Sequence, residues 1–98
     1  MRYEILLAPE AVQDLNALKA TVKASVRQGL ETHLRYEPTK VSKSRIKRPR
    51  GPLRPQYRLR MDEVRVFYDV TDTTVQVLAI VAKSEAEQWL EKFAKKVE

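Results

Sequence analysis

Three arginines pose the chemical question. Arg58 and Arg60 stand two apart in QYRLRM, and Arg65 follows in VRVFYDV just past Asp62-Glu63. Residues two apart on an extended strand point to one face. A hairpin turned at Asp62-Glu63 brings Arg65 to that face from the next strand. Guanidinium forks grouped in this way match the oxygens of a phosphate. The plainer reading has them solvated, or paired with Glu4, Asp69 or the acidic residues near the C-terminus, where each pair is worth little. Lys83 stands where the last strand gives way to a helix. It reads as the rim of the same cleft or as a solvated loop lysine.

The surrounding charge favours an anionic partner. The 98 residues carry 19 Lys and Arg against 13 Asp and Glu, a net charge of +6. Residues 40–65 hold Lys40, Lys43, Arg45, Lys47, Arg48, Arg50 and Arg54 as well as the three arginines, against only Asp62 and Glu63. That window is therefore +8 and the remainder −2. So concentrated a patch attracts polyanions, a nucleic-acid backbone foremost.

Other chemistries fall away. Without cysteine there is no disulfide, thiol nucleophile or Cys-zinc site, and one histidine cannot make a multi-histidine metal site. His33, between Leu30 and Leu34, reads as a helix boundary residue. Asp62 and Glu63 are adjacent in a turn and diverge, so they make no acid–base pair. Gly29 and Gly51 alone cannot form a glycine-rich phosphate loop. No apolar run approaches the roughly 18 residues of a membrane span. The apolar stretch in MRYEILLAPE is too short for a secretory signal. The expectation is one soluble, cytoplasmic domain over residues 1–98, with no membrane association.

The elements that position the arginines follow from periodicity. Residues 2–7 alternate as a strand. Pro9 and Glu10 suit a helix start, and Val12, Leu15, Leu18, then Val22, Val26, Leu30 and Leu34, predict a helical hairpin, or one long broken helix, over about 9–36 that Pro38 ends. Thr21 is a candidate cap for its second helix. Residues 38–55, rich in proline and basic residues, predict an extended loop. Strands follow at 56–61, 64–70 and 74–82 as a meander. The last, TVQVLAIVA, is apolar enough to lie centrally. Ser84 and Glu87 have capping-box spacing for a final helix with Ala86, Trp89, Leu90, Phe93 and Val97 on one side. The fold class is α+β: an N-terminal strand, a helical hairpin, a three-stranded antiparallel meander and a C-terminal helix, packed on a mainly antiparallel sheet.

In this order, Tyr57-Arg58-Leu59-Arg60, Arg65-Val66-Phe67-Tyr68-Asp69-Val70 and Val75-Gln76-Val77-Leu78-Ala79-Ile80-Val81 resemble the C-terminal half of the RelE/ParE family of type II toxins. The N-terminal strand and paired helices fit the same topology, the RelE-like microbial RNase fold. The resemblance implies a toxin held in a hetero-oligomer by a cognate antitoxin. In the RelE branch the toxin enters the A site of the 70S ribosome and cuts mRNA there without metal or other cofactor, by 2′-hydroxyl attack on the adjacent phosphate. On that pattern Arg58, Arg60, Arg65 and Lys83 form the catalytic set, and Lys40, Lys43, Arg45, Lys47, Arg48, Arg50 and Arg54 grip RNA. Many RelE-type nucleases carry Arg or His after the last strand and a Tyr in the C-terminal segment. Here those places read Lys83-Ser84 and Trp89-Leu90. The ParE branch, which inhibits DNA gyrase, and a catalytically silent binding module are the alternatives.

Overall fold

The structure, a computed structural model, describes residues 1–51 and 53–97. The side chain of Val97, expected on the apolar side of the last helix, lies outside that description. Strand β1 (Glu4–Leu7) leads into helices α1 (Pro9–Asn16) and α2 (Ala20–Leu34). Strands β2 (Ile46–Lys47), β3 (Tyr57–Met61), β4 (Val64–Val70) and β5 (Thr74–Ala82) follow. A 3₁₀ turn at Lys83–Glu85 precedes helix α3 (Ala86–Val97). The sheet order is β1-β5-β4-β3-β2. Among the described residues the only parallel pair is β1 with β5; β2, β3, β4 and β5 run antiparallel in sequence. No helix among the described residues is long and apolar enough to cross a membrane.

Alternation on the strands divides the sheet into two faces. Tyr57 and Leu59 of β3 join Val64, Val66 and Tyr68 of β4 on the face covered by α1 and α2, through Ala11, Leu15, Val26, Leu30 and Leu34. Phe67 points the other way and packs with Ala86, Leu90, Val81 and Trp89. Trp89 stacks between Phe67 and Phe93, with ring centroids 4.6 and 4.9 Å away. This fastens α3 to the second face. That is also the face on which Arg58, Arg60 and Arg65 stand, as period two requires.

Several details differ from the sequence reading. The basic segment is not wholly a loop: Ile46 enters the first core, and Ile46 and Lys47 pair with Leu59 and Arg58 as β2. The second helix is preceded by Lys19, with Thr21 inside its first turn, and no side chain caps it. The Ser84–Glu87 capping box is replaced by the 3₁₀ turn. There the Ala86 N–H bonds to the Lys83 carbonyl, and the Lys83 N–H bonds to the Glu63 carbonyl at 2.7 Å. The β4–β5 register jumps between Phe67, opposite Ala79, and Tyr68, opposite Val77. Leu78 is thus a bulge residue, so Val75, Val77 and Ile80 all reach the same core despite mixed parity. Strand β5 is interior but second from the sheet's edge, with Gln76 exposed and Leu78 half-buried; the middle strand, buried on both faces, is β4, Arg65 and Asp69 included.

Candidate functional site

The β3–β4 hairpin makes the site. Asp62 takes a left-handed backbone conformation (φ 53°) in its two-residue turn, which an aspartate tolerates better than most residues. The turn sets Arg60 directly opposite Arg65, and Arg58 opposite Phe67. Like charges directly across a ladder repel. Lys47 stands opposite Arg58 on the other side, and the 3₁₀ turn hangs Lys83 above the hairpin. Together Lys47, Arg58, Arg60, Arg65, Lys83, Ala86 and Glu87 line one open cavity of about 440 Å³. Five cations share it with a single carboxylate.

The cations are held differently. Arg65 is only 5% exposed, and its Nη1 donates to the backbone carbonyls of Asp62 (2.8 Å) and Val64 (3.0 Å). No carboxylate neutralises it among the described residues. Burial, then Arg60 and Arg58, push its pKa down against a weaker pull from Glu63. It stays protonated, because no protein environment strips a guanidinium at ordinary pH. Arg58 leans toward Glu87, with Nη1 3.6 Å from Oε1, and its Nε is buried with no acceptor. A buried donor left unpaired is costly. The whole cluster therefore favours an added anion, whose oxygens would relieve the repulsion.

Of the seven further basic residues, only Lys47 joins this cavity. Arg54 is tied to Asp69 (Nε to Oδ2, 2.7 Å) and lies over the Phe93 ring at 5.7 Å. Arg48 lies over Tyr57 at 5.2 Å and donates to its hydroxyl at 3.3 Å. Arg45 donates to the Arg60 carbonyl at 3.1 Å, and Lys40 pairs with Glu37 at 3.5 Å. These two border a separate small depression beside His33. Lys43 and Arg50 are exposed. The sequence reading missed Glu87 as a member of the site, because its spacing from Ser84 suggested a cap. It grouped Lys47 with the other basic residues of the segment, because a two-residue strand is too short to show a period. Among the described residues, no three histidine, aspartate or glutamate side chains are grouped to hold a metal ion.

Comparison with known proteins agrees with this architecture. The profile of a family described as ParE toxin of type II toxin-antitoxin system, parDE, matches residues 5–87. A chain of the toxin–antitoxin complex RelBE2 from Mycobacterium tuberculosis is 26% identical, with a TM-score of 0.70, over 84% of this chain and 99% of that one. The archaeal RelE–RelB complex from Pyrococcus horikoshii gives 23% identity and a TM-score of 0.68, over 85% and 97% of the two chains. A mutant E. coli toxin RelE in the free state shares the fold across the whole of both chains, with 20% identity and a TM-score of 0.60. Curated protein sequences give no match. The profile spans helices α1 and α2, strands β2 to β5 with the arginine hairpin and all but the first residue of β1, and the chain belongs to the RelE/ParE family of toxins from type II toxin–antitoxin systems.

Proposed function

We propose that this toxin is a ribosome-dependent mRNA endonuclease that acts in the cytoplasm and arrests translation. The observation that supports it is the convergence of Lys47, Arg58, Arg60, Arg65 and Lys83 on one cavity. In the reaction the 2′-hydroxyl loses its proton to solvent, its oxygen attacks the adjacent phosphorus and the bond to the 5′-oxygen breaks. A 2′,3′-cyclic phosphate and a 5′-hydroxyl result. Arg58 and Arg60 orient the phosphate and favour the ionised 2′-oxygen. Arg65, fixed through its backbone contacts, supplies charge where the pentavalent transition state gathers it. Lys83, exposed at the rim, contacts the phosphate or protonates the leaving oxygen. The test is incubation with programmed 70S ribosomes and mapping of mRNA ends by primer extension. Wild type should cut in the A site, and Arg60→Ala should cut about 10²–10³-fold more slowly. Absence of A-site cuts by wild type would overturn the proposal.

A second reading, inhibition of DNA gyrase, is favoured by the ParE description of the matching family and by a cavity lined without histidine or tyrosine. A supercoiling assay separates the two: inhibition without RNA cleavage supports gyrase. Both readings include an antitoxin. The related RelB–RelE structures are toxin–antitoxin complexes. A groove between α1 and α3 of about 520 Å³, with Leu78, Trp89 and Phe93 flanked by Lys92 and Lys96, suits an amphipathic, acidic segment of such a partner. Co-purification with the product of the adjacent gene tests this.

A further inference from the structure

Resting on the anion-binding reading of the cavity, the geometry points to Glu87 as a built-in competitor for the anion, a specificity-determining residue whose carboxylate must leave Arg58 before a phosphate can engage it. Glu87 is the one carboxylate lining the cavity. Its Oε1 lies 3.6 Å from Arg58 Nη1, close enough for charge attraction and too long for a good hydrogen bond. Arg58 Nε meanwhile stays buried with no acceptor, so Glu87 screens this guanidinium without saturating it. The Glu87 side chain is 83% exposed and can swing into solvent with little loss of packing. Its backbone cannot follow, because Ala86 is buried on one side and Trp89 is stacked between Phe67 and Phe93 on the other. The carboxylate is thus tethered at the mouth of the cavity but easily displaced.

This arrangement selects by charge. A monoanion offers Arg58 little more than Glu87 already does. A polyanion brings a second charge for Arg60, Arg65 or Lys47 and outcompetes the tethered carboxylate. Because Glu87 is mostly exposed, removing its negative charge should strengthen phosphate binding about five-fold, the size of Coulomb attraction at this distance in a watery dielectric.

The test uses the purified full chain and inorganic pyrophosphate, with affinity read by titration calorimetry. Wild type is compared with Glu87→Gln, Glu91→Gln, Arg58→Ala, Arg60→Ala and the double variant Glu87→Gln/Arg58→Ala. Glu91 is an exposed glutamate on the same helix that does not line the cavity, so it reports the effect of net charge alone. The expected result is tighter binding by Glu87→Gln, a change under about two-fold by Glu91→Gln, and loss of the Glu87→Gln gain once Arg58 is absent. If Arg60→Ala weakens binding while Glu87→Gln equals wild type or Glu91→Gln, the competitor role is wrong and the anion cavity stands. A gain that survives in the double variant also overturns the role. If neither arginine variant weakens binding, the cavity reading fails and the competitor falls with it.

Discussion

Burial of the Arg65 guanidinium beside Arg60 and Arg58 costs the folded state free energy that an ordinary core residue would not. Its depressed pKa, caused first by desolvation, shows the sign: the native environment disfavours the charge the residue keeps. Arg65→Met removes that cost together with two hydrogen bonds to backbone carbonyls, so it should change stability by less than about 1 kcal/mol while weakening anion binding. Calorimetric unfolding beside a binding titration checks both halves. His33 has the opposite practical consequence. Desolvation, then Arg45, lowers its pKa below the ordinary 6.5, so the unfolded chain binds the proton more readily. Stability then rises with pH through the window just below 6.5 and is lost on acidification. His33→Gln should flatten that part of the profile. Glu31, whose pKa is lowered by its hydrogen bond to Arg35, acts in a separate window: its contribution is present above 4.5 and lost below. Denaturant midpoints measured from pH 7 to pH 3 resolve the two. The grouping of Arg58, Arg60 and Arg65 is legible because period two dictates it. The depth of Arg65 is not, since strand alternation tells which face a residue takes and nothing of what covers that face.

Among the strands and helices, β5 depends on a contact from distant sequence. Asp14 on α1 accepts the Ile80 N–H at 2.9 Å, just past the bulge at Leu78. Asp14→Ala leaves that donor without its partner and should cost about 1–3 kcal/mol, read as a lower urea midpoint, with Asp14→Asn retaining most of the stability. Nothing in TVQVLAIVA announces the bulge, because both parities of the strand are apolar. The hairpin at Asp62-Glu63 and the paired helices were legible from turn chemistry and helical spacing. Strand β2 was not, since two residues are too few to show a period. The close approach of α2 to β3 was equally hidden: a Cβ on Gly29 would overlap the Met61 side chain. Gly29→Val should thus force the flexible end of Met61 aside, with only a small fall in Tm.

Across the molecule, the two sheet faces divide the labour. One holds the larger core, including Tyr68, whose buried hydroxyl donates to the Pro38 carbonyl at 2.6 Å and ties the basic segment to the sheet. The other carries the cations and the lightly built α3 layer. Asp69 accepts from both Arg54 Nε and the Gln56 N–H, so the segment entering β3 is fastened at both ends. The basic residues outside the cavity spread along this segment, and their effect on a nucleic-acid partner should be collective. On the proposed nuclease reading, affinity for an RNA backbone should fall steeply as salt rises, and neutralising Lys43 and Arg50 should lower that slope without moving the cleavage position.

The parallel pairing of β1 with β5 gives this toxin an order of assembly. During synthesis β1 emerges long before its partner, and Lys83 follows β5. Contacts so far apart along a chain form late in folding. A nascent chain stalled before residue 74 has neither a closed sheet nor a complete cationic cavity, so it should not capture a labelled polyphosphate that the released protein binds. On the proposed nuclease reading, the anion site is in this way withheld from nucleic acid until β5 and the lysine behind it have left the exit tunnel.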